Sequence, residues 1–166
     1  RVFRNELIMT GYQNSLFYTL LGTVLNVAVT TMMAYPLSRH DFAARRPITM
    51  LTAFTMLFSG GMIPTFLVVK NLGLIDTVWS LVLPGLVSPW NMFIMKNYFQ
   101  TSIPTELYEA ASIDGADNFH LLRSVVLPLS APIVAVMVLY YGVAHWNSYF
   151  NALLYLRDRT RYPLQL

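Results

Sequence analysis

LIMTGYQNSLFYTLLGTVLNVAVTTMMAYPLS, residues 7–38, holds no Asp, Glu, Lys or Arg, although Glu6 stands just before it and Arg39 just after. A helix crosses about 30 Å of hydrocarbon in about 20 residues, so this run is long enough to span a bilayer. Outward along the chain, further charge-free runs lie between Arg46 and Lys70, between Asp76 and Lys96, and between Arg123 and Arg157. Each of them also reaches spanning length. The pattern predicts membrane helices near Leu16–Leu37, Ile48–Val69, Val78–Met95 and Val125–Ala144.

Composition points the same way. Of 166 residues, 55% are hydrophobic and 11% charged, where an ordinary soluble domain has about a quarter of its residues charged. So few charges could not cover the surface of a soluble bundle of four such helices. The fold class expected is all-α integral membrane: a polytopic helix bundle with about four transmembrane helices. The first run is too long for an export signal and lacks a basic flank followed by a small-residue cleavage site. No solenoid repeat or low-complexity linker divides the chain, so residues 1–166 are read as a single domain. It opens on Arg1 and closes on Tyr162-Pro163-Leu164-Gln165-Leu166 just after a polar turn, which reads as a piece of a longer protein.

Several chemistries find no residues to carry them. Cysteine is absent, and His40, His120 and His145 are too scattered for the close pairings that metal helices use. There is no glycine-rich loop ending in Gly-Lys-Ser or Gly-Lys-Thr, no Gly-x-Ser-x-Gly and no His-Glu-x-x-His. No cofactor, metal ligand or catalytic residue is expected, and any nucleotide chemistry belongs on another chain. The net charge of +3 is dispersed among helix ends, which argues against a nucleic-acid groove. An integral membrane enzyme or a receptor-like signalling component would need convergent ionisable groups within the spans, and only His145 comes near.

Between the spans, residues 96–124 form the longest loop, and their composition is helical. Ser102-Ile103-Pro104 is a start signal, Glu106 and Glu109 suit a helix N-terminus, and Gly115 suits a left-handed stop. The signals predict a helix of about ten residues. Asp117 can cap a second helix in which Phe119, Leu122 and Val126 share a face and run into the fourth span. A helix-turn-helix on the membrane surface is expected. Counting Lys and Arg does not orient it: Arg39, Arg45, Arg46, Lys96 and Arg123 on one side face Arg1, Arg4, Lys70, Arg157, Arg159 and Arg161 on the other. The cluster at Arg39, Arg45 and Arg46 favours the first set as cytoplasmic.

Glu109-Ala110-Ala111, then Gly115, then Val125-x-Leu127-Pro128 resembles the EAA loop of binding-protein-dependent ABC importer permeases, where the family pattern has Ile in place of Val125. Four elements at fixed spacing between two spans make the likeness specific. It implies a cytoplasmic loop that docks into a cleft of an ABC ATPase subunit, with Glu109, Ala110, Ala111, Asp114, Gly115, Leu127 and Pro128 as the coupling residues. Small Ala110 and Ala111 allow close approach, Glu109 can pair with a basic or amide group, and Gly115 permits the sharp turn. The bland reading of Glu109 is a solvated charge at a helix start.

A narrower likeness covers nearly the whole chain. Tyr35-Pro36-Leu37-Ser38-Arg39, Gly60-Gly61-Met62-Ile63-Pro64, Asp114-Gly115-Ala116, Leu127-Pro128-Leu129-Ser130 and Tyr162-Pro163-Leu164-Gln165 resemble carbohydrate-uptake permeases. Within those they look most like the complex-oligosaccharide branch, with relatives of the maltose permease's smaller subunit more distant. The resemblance implies one further span before Arg1 and another after Leu166. It also implies a second permease subunit, an extracellular solute-binding protein, a carbohydrate substrate and a place in the bacterial cell membrane. A permease for an amino acid, a peptide or an anion is the alternative within transport.

A path for a polar solute is hinted at by the backbone. Ser59-Gly60-Gly61 and Pro64 interrupt the second run, and Pro84-Gly85 with Pro89 interrupt the third; such breaks are tolerated against protein or a water-filled cavity. Asn26 and Asn91 are amides at membrane depth, suited either to lining a pore or to hydrogen bonds between helices. Tyr140 and Tyr141, followed by His145-Trp146-Asn147-Ser148-Tyr149-Phe150-Asn151, combine rings that can stack on sugar faces with amides that can bind hydroxyls. The same mixture suits an aromatic belt at a membrane interface.

Overall fold

The computed structural model describes residues 6–113 and 115–166, and every regular element among them is helical. In chain order these are α1 (Glu6–Ser38), α2 (Arg45–Leu57), α3 (Met62–Asn71), α4 (Trp79–Val82), a 3-10 turn (Leu83–Gly85), α5 (Pro89–Ser102) and α6 (Thr105–Ile113). There follow α7 (Asn118–Leu121), a π turn (Leu122–Val126), α8 (Leu127–Leu129), α9 (Ala131–Trp146), α10 (Tyr149–Tyr155) and a 3-10 turn (Arg159–Arg161). Arg1, Arg4 and Asp114 lie outside the described residues.

The chain divides into two compact units, one of residues 1–26, 59–86 and 138–166, the other of residues 27–58 and 87–137. The first is centred on Tyr18, Val69, Leu81, Ala152, Tyr155 and Leu156. Rings of Phe66 and Tyr155 stack there with centroids 6.1 Å apart. The second buries Leu37, Met92, Met95, Phe99, Val126 and Met137, and the Thr31 hydroxyl donates to the Met95 sulfur at 3.4 Å.

Only the first predicted span is one helix. Among the described residues, α1 alone is long and apolar enough to cross a membrane, from Ile8 to Ser38; taking two bent helix pairs as one span each brings the number to three. Of the four spans read from charge spacing, one is a continuous helix, the interruptions expected in the second and third runs are present, and the fourth run is bent as well. At the interruption expected within Ile48–Val69, α2 stops at Leu57 and α3 begins at Met62. Gly61 at φ 86°, ψ 178° occupies a conformation open essentially to glycine alone, and its carbonyl accepts from the Thr65 hydroxyl at 2.8 Å.

The third run, Val78–Met95, is not a single helix. Pro84 supplies no N–H within the 3-10 turn. Pro89 holds Ser88 extended, at φ −82° and ψ 120°, and Ser88 caps the new helix α5. The fourth run, Val125–Ala144, is bent by 84° between residues 118–129 and α9. Two prolines explain this. Pro128 meets the carbonyl four residues back, and the turn before it opens into the wider π form; Pro132 repeats the problem one turn on, and the chain bends at Ser130.

Candidate functional site

The loop after α5 begins where the chain must leave its helix. Ile103 is extended ahead of Pro104 and buried, and α6 starts at Thr105 with Glu106 in its first turn, where the helix dipole favours negative charge. It ends in a Schellman arrangement: the Ala116 N–H donates back to the Ala111 carbonyl at 2.9 Å, with Gly115 at φ 70°. Ala111 is therefore tied into the turn by its backbone. Glu109 and Ala110 are exposed, as are Ile113 at 86% and Phe119 at 62%.

Asp117 sits at the N-cap of α7 in extended conformation, but its side chain makes no capping bond. The face expected to join Phe119, Leu122 and Val126 is not shared either, for Leu122 and Val126 are buried while Phe119 is exposed. The π turn is the reason, since it changes the angular step per residue. Leu127 is half-buried and Pro128 exposed, at the start of α8.

What α6 rests on was not legible from spacing. Arg39, just past the end of α1, holds Asp41 with two parallel hydrogen bonds of 2.8 and 2.7 Å. Its guanidinium lies 4.9 Å from the ring centroid of Tyr108 on α6. The Arg39 hydrogen bonds hold the Asp41 carboxyl below the usual carboxylate range and raise the arginine's own pKa. Gln100 of α5 donates to the Ser38 carbonyl at 3.3 Å, satisfying an end group of α1. These residues line a cleft of about 500 Å³ that Glu109 and Ile113 also border.

The candidate path residues fall into different settings. Asn26 is buried and donates to the Gly85 carbonyl at 3.1 Å, so its amide does bridge helices, while its Oδ1 finds no hydrogen-bond partner among the described residues. Thr19 Oγ1, Thr23 Oγ1 and His145 Nε2 are likewise buried without a partner. Gly22 lets the His145 ring come so close that an added Cβ would stand 2.5 Å from it. In this polar seam of Thr19, Thr23, Asn26 and His145, the sequence singles out Asn26 and His145 but neither threonine. The seam's signal, small and hydroxyl residues at spacing of three and four along α1, was present.

Tyr140 and Tyr141 point apart, one 47% and the other 3% exposed. Trp146 meets Tyr12 edge to face at 6.4 Å and accepts at its carbonyl from Gln165 Nε2 at 2.6 Å. The Asn147 amide turns back to the Val143 carbonyl at 2.8 Å and so serves the end of its own helix. Asn91 is buried in the first turn of α5, in the other unit.

A polar clamp, also unforeseen, surrounds Asp76. This residue takes the left-handed conformation, φ 61°, and its carboxylate accepts from the backbone N–H groups of Arg157 and Asp158 at 3.1 and 3.2 Å. Those two bonds hold its pKa below the ordinary value. Arg161 donates to the Asp76 carbonyl. From α1, Asn14 donates to the carbonyls of Thr160 and Tyr162 at 2.8 and 3.1 Å, and the Tyr18 hydroxyl to that of Arg161 at 2.9 Å.

The family described as binding-protein-dependent transport system inner membrane component matches residues 8–158. Over 165 residues, 99% of this chain and 57% of the relative, the chain is 46% identical to the polygalacturonan/rhamnogalacturonan transport system permease protein YtcP of Bacillus subtilis (strain 168). It is 34% identical to the maltodextrin transport system permease protein MdxG of the same organism, covering 97% of this chain and 59% of that one. A crystal structure of a bacterial ABC transporter involved in import of the acidic polysaccharide alginate has a chain that superposes with a TM-score of 0.96 at 38% identity. That match covers 99% of this chain and 59% of the other. The chain spans little more than half the length of these relatives.

Proposed function

Because the chain belongs to the family of binding-protein-dependent transport system inner membrane components, we propose that it is part of the multi-pass permease subunit of an ABC importer for oligosaccharides. The bacterial cell membrane is its place. A second permease subunit completes the path, and an extracellular binding protein delivers the solute. Hydrolysis of ATP takes place on separate ATPase subunits, and this chain makes or breaks no bond.

One observation supports coupling above the others. Helix α6 presents Glu109, Ala110 and Ile113 outward and is closed by the left-handed Gly115. An apolar side chain as exposed as Ile113 on a short charged helix suits burial against a partner. Behind it, Tyr108 stacked on Arg39 ties the helix to the end of α1. Closure of ATPase subunits against α6 would therefore load α1 directly. The buried, unpartnered atoms of Thr19, Thr23, Asn26 and His145 suit a polar route through the first unit, since such atoms are costly unless water, solute or another chain satisfies them.

Sugar rather than another solute is favoured by the relatives, whose names refer to polygalacturonan and rhamnogalacturonan, to maltodextrin and to alginate. The test uses the full-length permease with its ATPase and partner subunit in membrane vesicles. ATP-dependent accumulation of an oligogalacturonide or a maltodextrin is expected, with amino acids and peptides excluded. Uptake of an amino acid or peptide instead would replace the substrate class. Uptake that needs no ATP would overturn the importer reading altogether.

A further inference from the structure

In the second unit a cavity of about 650 Å³ opens beside the start of α2, lined by His40, Arg45, Arg46, Thr49, Met50 and Lys96 among others. Its charge is one-sided. Among the described residues, no carboxylate lies within salt-bridge reach of Arg45, Arg46 or Lys96, and Asp41 is held by Arg39. Arg45 donates instead to His40 Nδ1 at 3.0 Å, and Lys96 to the Thr49 hydroxyl at 3.4 Å. The N-terminus of α2 adds its positive end, with no side chain capping it.

From this cavity an apolar face runs down α2. Met50 borders the pocket and is 73% exposed. Phe54 and Leu57 follow at helical spacing and Phe58 comes just past the helix end, all exposed, with the two phenylalanine rings stacked at 4.4 Å. A basic recess at the head of an exposed apolar stripe matches one chemistry: a negatively charged head joined to a hydrocarbon tail.

We propose that this cavity binds the phosphodiester headgroup of an anionic phospholipid, whose acyl chain lies along Met50, Phe54 and Leu57. The site rests on the reading above that the helices span a membrane, with Arg39, Arg45, Arg46 and Lys96 on its cytoplasmic side. Thr49 and His40 supply further hydrogen-bonding groups, and Arg45 and Arg46 fix the phosphate oxygens. The lipid then neutralises a cluster that no carboxylate among the described residues pairs.

The test is native mass spectrometry on the full-length permease within its assembled transporter, with phosphatidylglycerol or phosphatidylcholine titrated in detergent. Phosphatidylglycerol is expected to be retained in preference. Arg46→Gln and Lys96→Gln should each weaken that retention about fivefold, as expected from about 1 kcal/mol per basic residue near an anionic lipid, while Lys70→Gln leaves it unchanged. Inorganic phosphate should not displace the lipid, because it lacks the tail. Equal retention of the two lipids, retention unaffected in both variants, or full displacement by phosphate would overturn the proposal. So would a crosslink from position 46 to an ATPase or partner permease subunit in place of lipid. Sugar uptake measured on the same preparations separates the two readings: loss of lipid preference with intact uptake defeats this site alone, and absent uptake with intact preference defeats the transport reading alone.

Discussion

The clamp around Asp76 and the loop around Gly115 both turn on a left-handed residue, yet they use it in opposite ways. At Asp76 almost every neighbouring polar group is answered from within the unit: the carboxylate by two backbone N–H groups, the carbonyl by Arg161, and the segment beyond by Asn14 and Tyr18. At Gly115 the turn is completed by one backbone bond, and Glu109, Ala110, Ile113 and Phe119 are left facing outward. The first region has its partners in the chain. On the coupling proposed above, the second meets its partners on another chain, so a left-handed φ serves closure in one place and presentation in the other.

Breaking the second region should have the larger effect on transport. Gly115→Val puts a β-branched side chain at φ 70°, which costs about 1–2 kcal/mol in place and re-aims α6 against α7. ATPase association or the link between hydrolysis and uptake should fail while membrane abundance, measured by immunoblot, stays near normal. If the variant co-purifies with its ATPase and drives normal uptake, the loop does not couple. Glu109→Lys reverses an exposed charge on α6 and should act in the same direction, with a smaller loss in a pull-down.

The clamp should fail differently, in stability and in its dependence on pH. Asp76→Ala removes both the acceptor and the tolerance of φ 61°, so the melting temperature should drop with coupling intact in whatever remains folded. Because the folded state holds the Asp76 carboxyl below its ordinary 3.8, its contribution is fully present above that value and fades as pH falls towards the lower folded one. Asp76→Asn keeps the left-handed preference and should flatten that acid limb; an unchanged acid midpoint would assign it to other groups. The smallest effects belong to the aromatic end of α9. Trp146→Ala, which loses the Tyr12 contact, should lower uptake without harming assembly if the ring touches solute; a fall in assembly alone makes it a packing residue.

Charge spacing located the apolar stretches but not their continuity, because hydropathy counts composition while a helix ends on backbone geometry. The breaks at Gly60-Gly61 and at Pro84-Gly85 with Pro89 were visible as residue types. Pro128 and Pro132 were equally visible, and their joint effect, a π turn followed by a sharp bend, depends on which carbonyl each ring meets. In the loop, the helix start after Pro104 and the left-handed Gly115 could be read locally. Arg39 beneath Tyr108 could not, since sixty-nine positions of chain separate them and only tertiary packing brings a helix end under α6. In the seam, the spacing of Thr19, Thr23 and Asn26 along α1 could be read locally, but the approach of His145 to Gly22 could not.

The bend at Ser130 has a mechanical meaning. A short limb from Asn118 to Leu129 meets the long limb α9 at close to a right angle, which is the shape of a crank. At 1.5 Å per residue α9 is about 24 Å long, so a turn of the short limb by about 5° swings the far end of α9 through about 2 Å. If the loop couples as proposed, a push beside Gly115 enters α9 through this bend rather than along a straight helix.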